Sequence, residues 1–578
     1  MNRVVAGAAI IGLASAPVAA SLMTGAVPGF GSLTAAPPSM TANDASRFLT
    51  QATFGPTDSS IGAVQSSGIS GWISQQEAST PSQSSVSFLQ SRLAALDAAN
   101  PSVRLQARDF YDSFWKSSIT APDQLRQRVK LALSEIFVIS FSAPGMDTLG
   151  VGSYYDALGK NAFGNYRTLL EQVALHPMMG NYLNMVGSSK ADPTTGQHAD
   201  ENFAREIQQL MSVGLYQLNQ DGSVQTDATG APIPTYTISD IQGLAKVFTG
   251  FSWYSKNTSG NGSVIYYLGQ QKDNNWATKS MVAYPAFHST EAKSFLGTTI
   301  PASTTPDPTG DFKIALDTIF NHPNVGPFIG KQLIQRLVTS NPSPAYISRV
   351  AGVFNNNGAG VRGDLGAVVQ AILTDPEARD PTAVSNPTFG KLREPVVRLA
   401  NWARAFKAKS YTGWWLIGDT GAPDALRQAV MNSPTVFNFW RPGYSPPGTT
   451  LGTQGLVAPE FQVVDEVSVA GYLNVMLDAI GTGIGPHPTS TTVGDVFSTY
   501  ANEVAIARDS GKLADRMNLL LLYGQMSPGL RTRIVNAVNA VVIPAPPATT
   551  AQVNAALTNR AELAVFMTTA SPEYLAQR

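Results

Sequence analysis

Cysteine is absent from all 578 residues. That excludes disulfides, thiolate metal sites, a cysteine nucleophile and a cysteine-linked lipid anchor. Charge is sparse as well: 14% of residues against the usual quarter, so Ser, Thr, Asn, Gln and Gly must cover much of the surface. Thirty-nine basic and forty acidic side chains give a formal net charge of −1, and no Lys/Arg-rich run breaks the balance, which argues against a nucleic-acid partner. The five histidines form no H-x-x-x-H or H-E-x-x-H pair, so a transition-metal site lacks its usual ligands. Three of them, His176, His322 and His487, precede proline, which favours extended geometry at the histidine. No G-x-S-x-G elbow, phosphate-binding loop or dinucleotide fingerprint occurs. No metal and no cofactor are expected.

What is present begins with "MNRVVAGAAIIGLASAPVAAS": Arg3, an apolar run to about Leu13, then small residues before Ser21. This reads as a secretory signal peptide over 1–20, cut after Ala20, which places the mature protein in the periplasm or outside the cell. An exported, cysteine-free chain fits a bacterial source. No other apolar run approaches the roughly 18 residues a membrane helix needs, so no span is expected after the leader is removed. Residues 21–40 form a Gly/Ala/Pro/Ser/Thr lead-in. From Thr41, helical periodicity recurs at 41–52, 84–99, 102–143, 163–187, 201–215, 237–249, 311–339, 343–356, 363–374, 389–407, 457–480, 491–541 and 550–571. The fold expected is mainly α: one large helical unit over 41–578. Between Phe248 and Phe287 nine aromatics fall in forty residues, and "GFSWY", "SVIYYLG" and "MVAYPAF" predict short strands of a small β insertion.

The stretch "HADENFAREIQQLMSVGLYQLNQDG", 198–222, concentrates chemistry. On a helix, Phe203, Ala204, Ile207, Leu210, Met211 and Leu215 share a core-facing arc, while Glu201 and Arg205 lie opposite as a surface pair. Glu206, with Asn202 and Gln209, borders the arc, where partial desolvation raises a carboxyl pKa, so it is the leading acid–base candidate. A buried Glu satisfied within a structural network is the competing reading. Asp240, in "YTISDIQGLAKVFTGFSW", and Glu394, in "FGKLREPVVRL", are further carboxylate candidates. Asp240 also fits a first-turn helix cap, and Arg393–Glu394 the entry to a helix with Pro395 at its first position. His288, Lys293 and Arg393 are candidate substrate contacts alongside Asn202 and Arg205. Trp253, Tyr254 and Trp440 are candidate sugar-stacking faces, with core packing as the alternative. "LNQDGSVQTDATGAP" has its glycine misplaced for a calcium loop, and hairpin turns at Asp221-Gly222 and Thr229-Gly230 explain it better.

In order along the chain, "RFLTQATFGPT", "ENFAREIQQLMSVGLYQLNQDG", "YTISDIQGLAKVFTGFSW", "FHSTEAKSFLG", "NHPNVGPFIGKQLIQRLVTSNPSPAYISRVAGVFNNNG", "FGKLREPVVRL", "SPTVFNFWRPGY" and "SPEYLAQR" resemble the bacterial family called domain of unknown function 1800. The resemblance runs from about Ser46 to the end of the sequence. It implies a large exported protein, often encoded beside a second exported family, domain of unknown function 1501, which looks sulfatase-like; no activity comes with the name. The family's E-N-x-A-R-E element falls on Glu201, Asn202, Ala204, Arg205 and Glu206, and its lysine-glycine element on Lys293 and Gly297. The departure is "FNFWRPGYSPPG", where the family more usually has an N-P-P-x-V-x-G-W loop. Two function classes follow: an exported protein that binds or hydrolyses an envelope or extracellular polysaccharide with a carboxylate acid/base, or a non-enzymatic envelope scaffold that partners the sulfatase-like protein. The residues leave open whether any chemistry occurs.

Overall fold

A computed structural model describes residues 40–578 apart from 101, 257–265, 268 and 270–271. The expected signal peptide, the lead-in up to residue 39 and most of the "SVIYYLG" strand lie outside the described residues. The fold is mainly α with only short two-stranded sheets. A contiguous buried apolar cluster runs through it from Ala45 to Tyr574. No helix among the described residues is long and apolar enough to cross a membrane.

Helix ends fall where backbone chemistry puts them. Thr41 caps Ala42–Ala52: its hydroxyl accepts from Asp44 N at 3.1 Å and donates to Asp44 Oδ2 at 2.6 Å. The expected long helix over 102–143 is two, Ala107–Thr120 and Gln124–Ser134, divided at Ala121-Pro122, where Ala121 is extended (ψ 135). His322-Pro323 likewise divides 311–339 into Pro308–Asn321 and Val325–Leu337, with His322 at ψ 134. At His176, His322 and His487, ring Nδ1 accepts the backbone N–H two residues on, each at 3.2 Å, so each imidazole closes its own turn.

The expected helix over 201–215 is shorter, Asn202–Gln209. Val213 N and Gly214 N both donate to Gln208 O, and Gly214 takes φ 74 to turn the chain away. A Cβ there would lie 2.8 Å from the Phe328 ring. An irregular β arm follows, with bridges Tyr216–Pro234, Leu218–Val224 and Thr226–Pro232 around turns at Gly222 (φ 77) and Gly230 (φ 84). Asn324 fastens the arm to the following helix: its Nδ2 donates to Val213 O and Tyr216 O, and its Oδ1 accepts from Leu218 N.

Inside the 248–287 insertion, Phe251–Ser252 pairs antiparallel with Val282–Ala283, and Tyr266 stacks on Phe287 at 4.0 Å. A second hairpin, Lys293–Phe295 with Thr298–Ile300, packs on helix Ile238–Val247 just beyond it. Lys391–Leu392 pairs with Ala576–Gln577, bringing the two ends of the last third of the chain together.

Two helices that carry several cations are buried along their whole length. Every residue of Gln124–Ser134 is buried, including Arg126, Arg128 and Lys130, and so is every residue of Pro395–Ala405, including Arg398 and Arg404. These cations persist in the interior because each meets an acceptor or a ring. Lys130 lies 3.5 Å from Asp156 and over the Tyr155 ring, and Arg404 donates to Gly55 O and Ile119 O.

Candidate functional site

Where Gln124–Ser134, Val325–Leu337 and the entry to Pro395–Ala405 meet, charges collect in the interior. Glu135, directly after the first helix, Arg336, and Arg128, Lys391 and Glu394 are each no more than 6% exposed. The Arg336 carbonyl in the last turn of its helix accepts from Arg128 Nη2 at 2.5 Å and Lys391 Nζ at 2.8 Å, two cations at the negative end of a helix dipole. Those cations also flank Glu394: Lys391 Nζ at 3.3 Å and Arg128 Nη2 at 3.5 Å, with Gln428 donating to its other oxygen at 3.2 Å. Burial works against the Glu394 charge, but Lys391 and Arg128 outweigh it and hold the pKa at about 2. Lys391 also reaches Glu460 at 2.9 Å, whose pKa burial raises.

Glu135 is the opposite case. Arg336 Nε stands 3.4 Å from its carboxyl, outside hydrogen-bond geometry, and no N–H donor satisfies either oxygen. As a carboxylate it would be buried without a hydrogen bond and beside the negative charge of Glu394. Burial, then the negative charge of Glu394, raise its pKa well above the ordinary carboxyl range. The two form a pair of carboxyl groups whose surroundings push their pKa values apart.

Glu135, but not Glu394, borders a cavity of about 630 Å³. Glu135, Gln332, Gln335 and Arg336 are among its lining residues, and Gln332 Nε2, Gln335 Oε1, Arg336 Nε and both Glu135 oxygens lie buried behind its surface without a hydrogen-bond partner among the described residues. Tyr216, Phe328, Phe437 and Tyr444 supply aromatic walls, with Lys331 and Arg441 among the lining residues. Lys331 is exposed by area, yet enough protein surrounds it that burial lowers its pKa. Three segments that carry the family resemblance build the walls: the chain after Gln209, the "GKQLIQRL" helix, and "TVFNFWRPGY".

The residues singled out from sequence are distributed differently. Glu394 belongs to the charged pair beneath the cavity. Its neighbour Arg393 turns away, donating to Asn401 Oδ1 and Leu521 O and lying over the Tyr574 ring. Glu206 is buried, with burial raising its pKa, and its Oε2 has no hydrogen-bond partner among the described residues; Tyr182 and Tyr236 are its neighbours. It does not line the cavity, whereas Gln209 on the same helix does. Arg205 pairs with Glu201 at 3.1 Å on the surface, and Asn202 N donates to Asp200 Oδ1.

Asp240 caps Ile238–Val247: Oδ2 accepts from Thr237 N and Oγ1, each at 2.7 Å, and Oδ1 accepts from Leu296 N at 2.9 Å. Partial burial pushes its pKa up, but these donors outweigh it and the net direction is down. Asp311 Oδ2 holds both His288 Nε2, at 3.0 Å, and Lys293 Nζ, at 2.8 Å, in a buried cluster. Trp253 is 9% exposed, edge-on to Trp276 beneath Lys272, and Lys279 lies over Tyr254. Trp440 is 3% exposed and presents no open face; Phe437 and Tyr444 of the same loop do the lining instead. His198 and Glu201 edge a separate polar cleft with Lys190 and Lys246. No three His, Asp or Glu side chains among the described residues converge as metal ligands.

Glu135, Lys331, Gln332, Gln335 and Arg336 were not picked out from the sequence. The available signals were Glu135 inside "LALSEIFVIS" and the paired i,i+4 spacings of Lys331/Gln335 and Gln332/Arg336, which put all four on neighbouring rows of one helix. No curated protein and no solved structure matches the chain. The match that does occur spans nearly all of the folded part, residues 47–576, and by it the chain belongs to the family described as Protein of unknown function (DUF1800).

Proposed function

We propose that the chain binds an oligosaccharide segment of an envelope or extracellular polymer in the cavity above Glu135, and that Glu135 donates a proton to the glycosidic oxygen of that polymer. The observation that carries this reading is the cavity lining: aromatic walls of Tyr216, Phe328, Phe437 and Tyr444 above an acid, two amides and a guanidinium whose buried polar atoms have no hydrogen-bond partner among the described residues. Buried polar groups are ordinarily paired, and a turn of these side chains toward the cavity would offer a polyol alternating donors and acceptors. The aromatic walls supply apolar faces for sugar rings, and the low surface charge and expected export fit an extracellular polymer. Glu394, fixed as an anion by Arg128 and Lys391, keeps the Glu135 proton in place between turnovers. The established statement is coarser, membership of a family of unknown function.

The test is glycan cleavage, read as new chain ends from a panel of bacterial and plant polysaccharides, by wild type and Glu135→Gln. The amide copies the shape and donor of the protonated acid but has no proton to give. Loss of turnover by roughly a hundredfold to ten-thousandfold is expected, the range for removal of a general acid. Wild-type turnover by Glu135→Gln on every polymer cleaved would remove Glu135 from the chemistry.

A further inference from the structure

We infer that the chain carries a second ligand site, in the apolar cavity beside Arg398, and that it takes a medium-chain aliphatic carboxylate, with the carboxylate on the Arg398 guanidinium and the hydrocarbon tail in the groove beside helix Glu466–Gly481. The site does not rest on the glycan reading: Val457 is the one lining residue, among those described, that the two cavities share.

The charge on Arg398 carries the argument. Its helix, Pro395–Ala405, is buried along its whole length, and Arg398 itself is 5% exposed. Nε donates to Arg393 O at 2.8 Å, and the guanidinium lies over the Tyr472 ring, 4.9 Å from its centroid. Those contacts fix the group without giving it a countercharge. Among the described residues no carboxylate pairs with it; Glu460, which lines the same cavity, is taken by Lys391 at 2.9 Å, and Arg578 O accepts from Arg47 Nε at 3.1 Å. Nη1 and Nη2 make no hydrogen bond among the described residues and are not sealed from solvent, and Arg398 lines the cavity. Buried cations are ordinarily paired, so an unpaired guanidinium at an apolar wall is half of an ion pair that an anion completes.

The rest of the cavity is aliphatic. Leu392, Leu451, Val464, Val469, Leu473 and Leu575 are among the residues lining a volume of about 380 Å³, within the roughly 300–1,000 Å³ of small-molecule sites. Val469 and Leu473 stand three residues before and one after Tyr472, so one helix carries both the ring beneath the guanidinium and a wall of the groove. The apolar surface continues outward from there: Phe461, Val464, Val467, Val469 and Leu477 are each at least 37% exposed. Contiguous exposed apolar surface of this kind marks a binding face. A neutral apolar guest leaves Arg398 unpaired, and a small anion leaves the groove open to water. An aliphatic carboxylate meets both demands at once.

The experiment measures binding of decanoate, decanol and acetate to the full chain by titration calorimetry, for wild type, Arg398→Met and Val469→Glu. Wild type should bind decanoate about tenfold more tightly than decanol, the difference one charge-assisted contact makes, and should not bind acetate at the same concentration. Arg398→Met exchanges an unpaired buried charge for an apolar side chain, so it should stay folded and bind the acid and the alcohol alike. Val469 is exposed, so Val469→Glu should melt with wild type; its carboxylate stands at the groove and should weaken decanoate binding about tenfold. If Arg398→Met does not fold, the wild-type comparison and Val469→Glu still decide the matter. Equal affinity of wild type for acid and alcohol overturns the role of Arg398, as does an undiminished preference in Arg398→Met. Decanoate binding unchanged in Val469→Glu overturns the groove, and no binding of decanoate by wild type overturns the site.

Discussion

Glu135 and Glu394 carry the same functional group in contact with one another, and their surroundings push them in opposite directions. Glu394 has two cations and an amide around it, so its pKa lies below the unfolded value. The stability it contributes is therefore full above the ordinary carboxyl pKa of about 4.3 and is lost as pH falls toward 2. Glu135 has no donor, so its folded pKa lies above the unfolded one, and its contribution is full in acid and lost as pH rises. Glu394→Gln leaves Arg128 and Lys391 buried with reduced countercharge and should cost roughly 3–5 kcal/mol at pH 7, narrowing in acid. Glu135→Gln keeps the donor and removes the cost of holding a proton, so it should melt at or above wild type from pH 5 to 8. Thermal melts of both variants across that range check the pair; a Glu394→Gln protein as stable as wild type at pH 7 would contradict the assignment. The contrast was not legible in the sequence. Glu394 stood out beside Arg393 and Pro395, but Glu135 gains its environment from residues 201 and 259 positions away.

Among the secondary-structure elements, local signals were legible and tertiary stops were not. Thr41 with Asp44 and Thr237 with Asp240 mark helix starts by their own side chains, and both caps form. Asn202–Gln209 carries an apolar periodicity that continues to Leu215, yet the helix stops early because Gly214 turns the chain beneath Phe328. Asp58–Ala78 went unread because "SSIGAVQSSGISGW" is rich in Ser and Gly, and Gly68, at φ 68, kinks it. Asp240 joins two elements, as the cap of Ile238–Val247 and the acceptor for Leu296 N in the turn of the Lys293–Ile300 hairpin. Removing it exposes the orphan amides at the helix start and frees that turn. Asp240→Ala should therefore lower stability by about 1–2 kcal/mol, measured by urea unfolding, with glycan turnover per folded molecule unchanged. A turnover loss without a stability loss would give Asp240 a part in the chemistry.

Across the whole molecule, the site depends on contacts that no stretch of sequence announces. The floor of the cavity is carried by Val325–Leu337, and the C-terminal end of that helix is held from the far end of the chain. Gln577 Nε2 donates to Leu337 O at 2.8 Å and to Val338 O at 3.3 Å, while its backbone pairs with Lys391, the residue that holds Glu394 and the Arg336 carbonyl. One side chain thus closes a loop of 240 residues and positions both halves of the charged cluster. Its signal in "EYLAQR" is a polar residue near the end of the sequence, indistinguishable from a surface glutamine until the pairing is known. Gln577→Ala strips two helix-end carbonyls of a buried donor and should cost roughly 1–3 kcal/mol. Because Arg336 and Lys391 lose their common anchor together, ligand affinity in the cavity should fall with stability in the same variant, while Asp240→Ala loses stability alone. Melting curves of the two variants, with and without the polymer that stabilises wild type, separate these outcomes. Undiminished ligand-induced stabilisation in Gln577→Ala would show that the cavity floor holds its shape without that end of the chain.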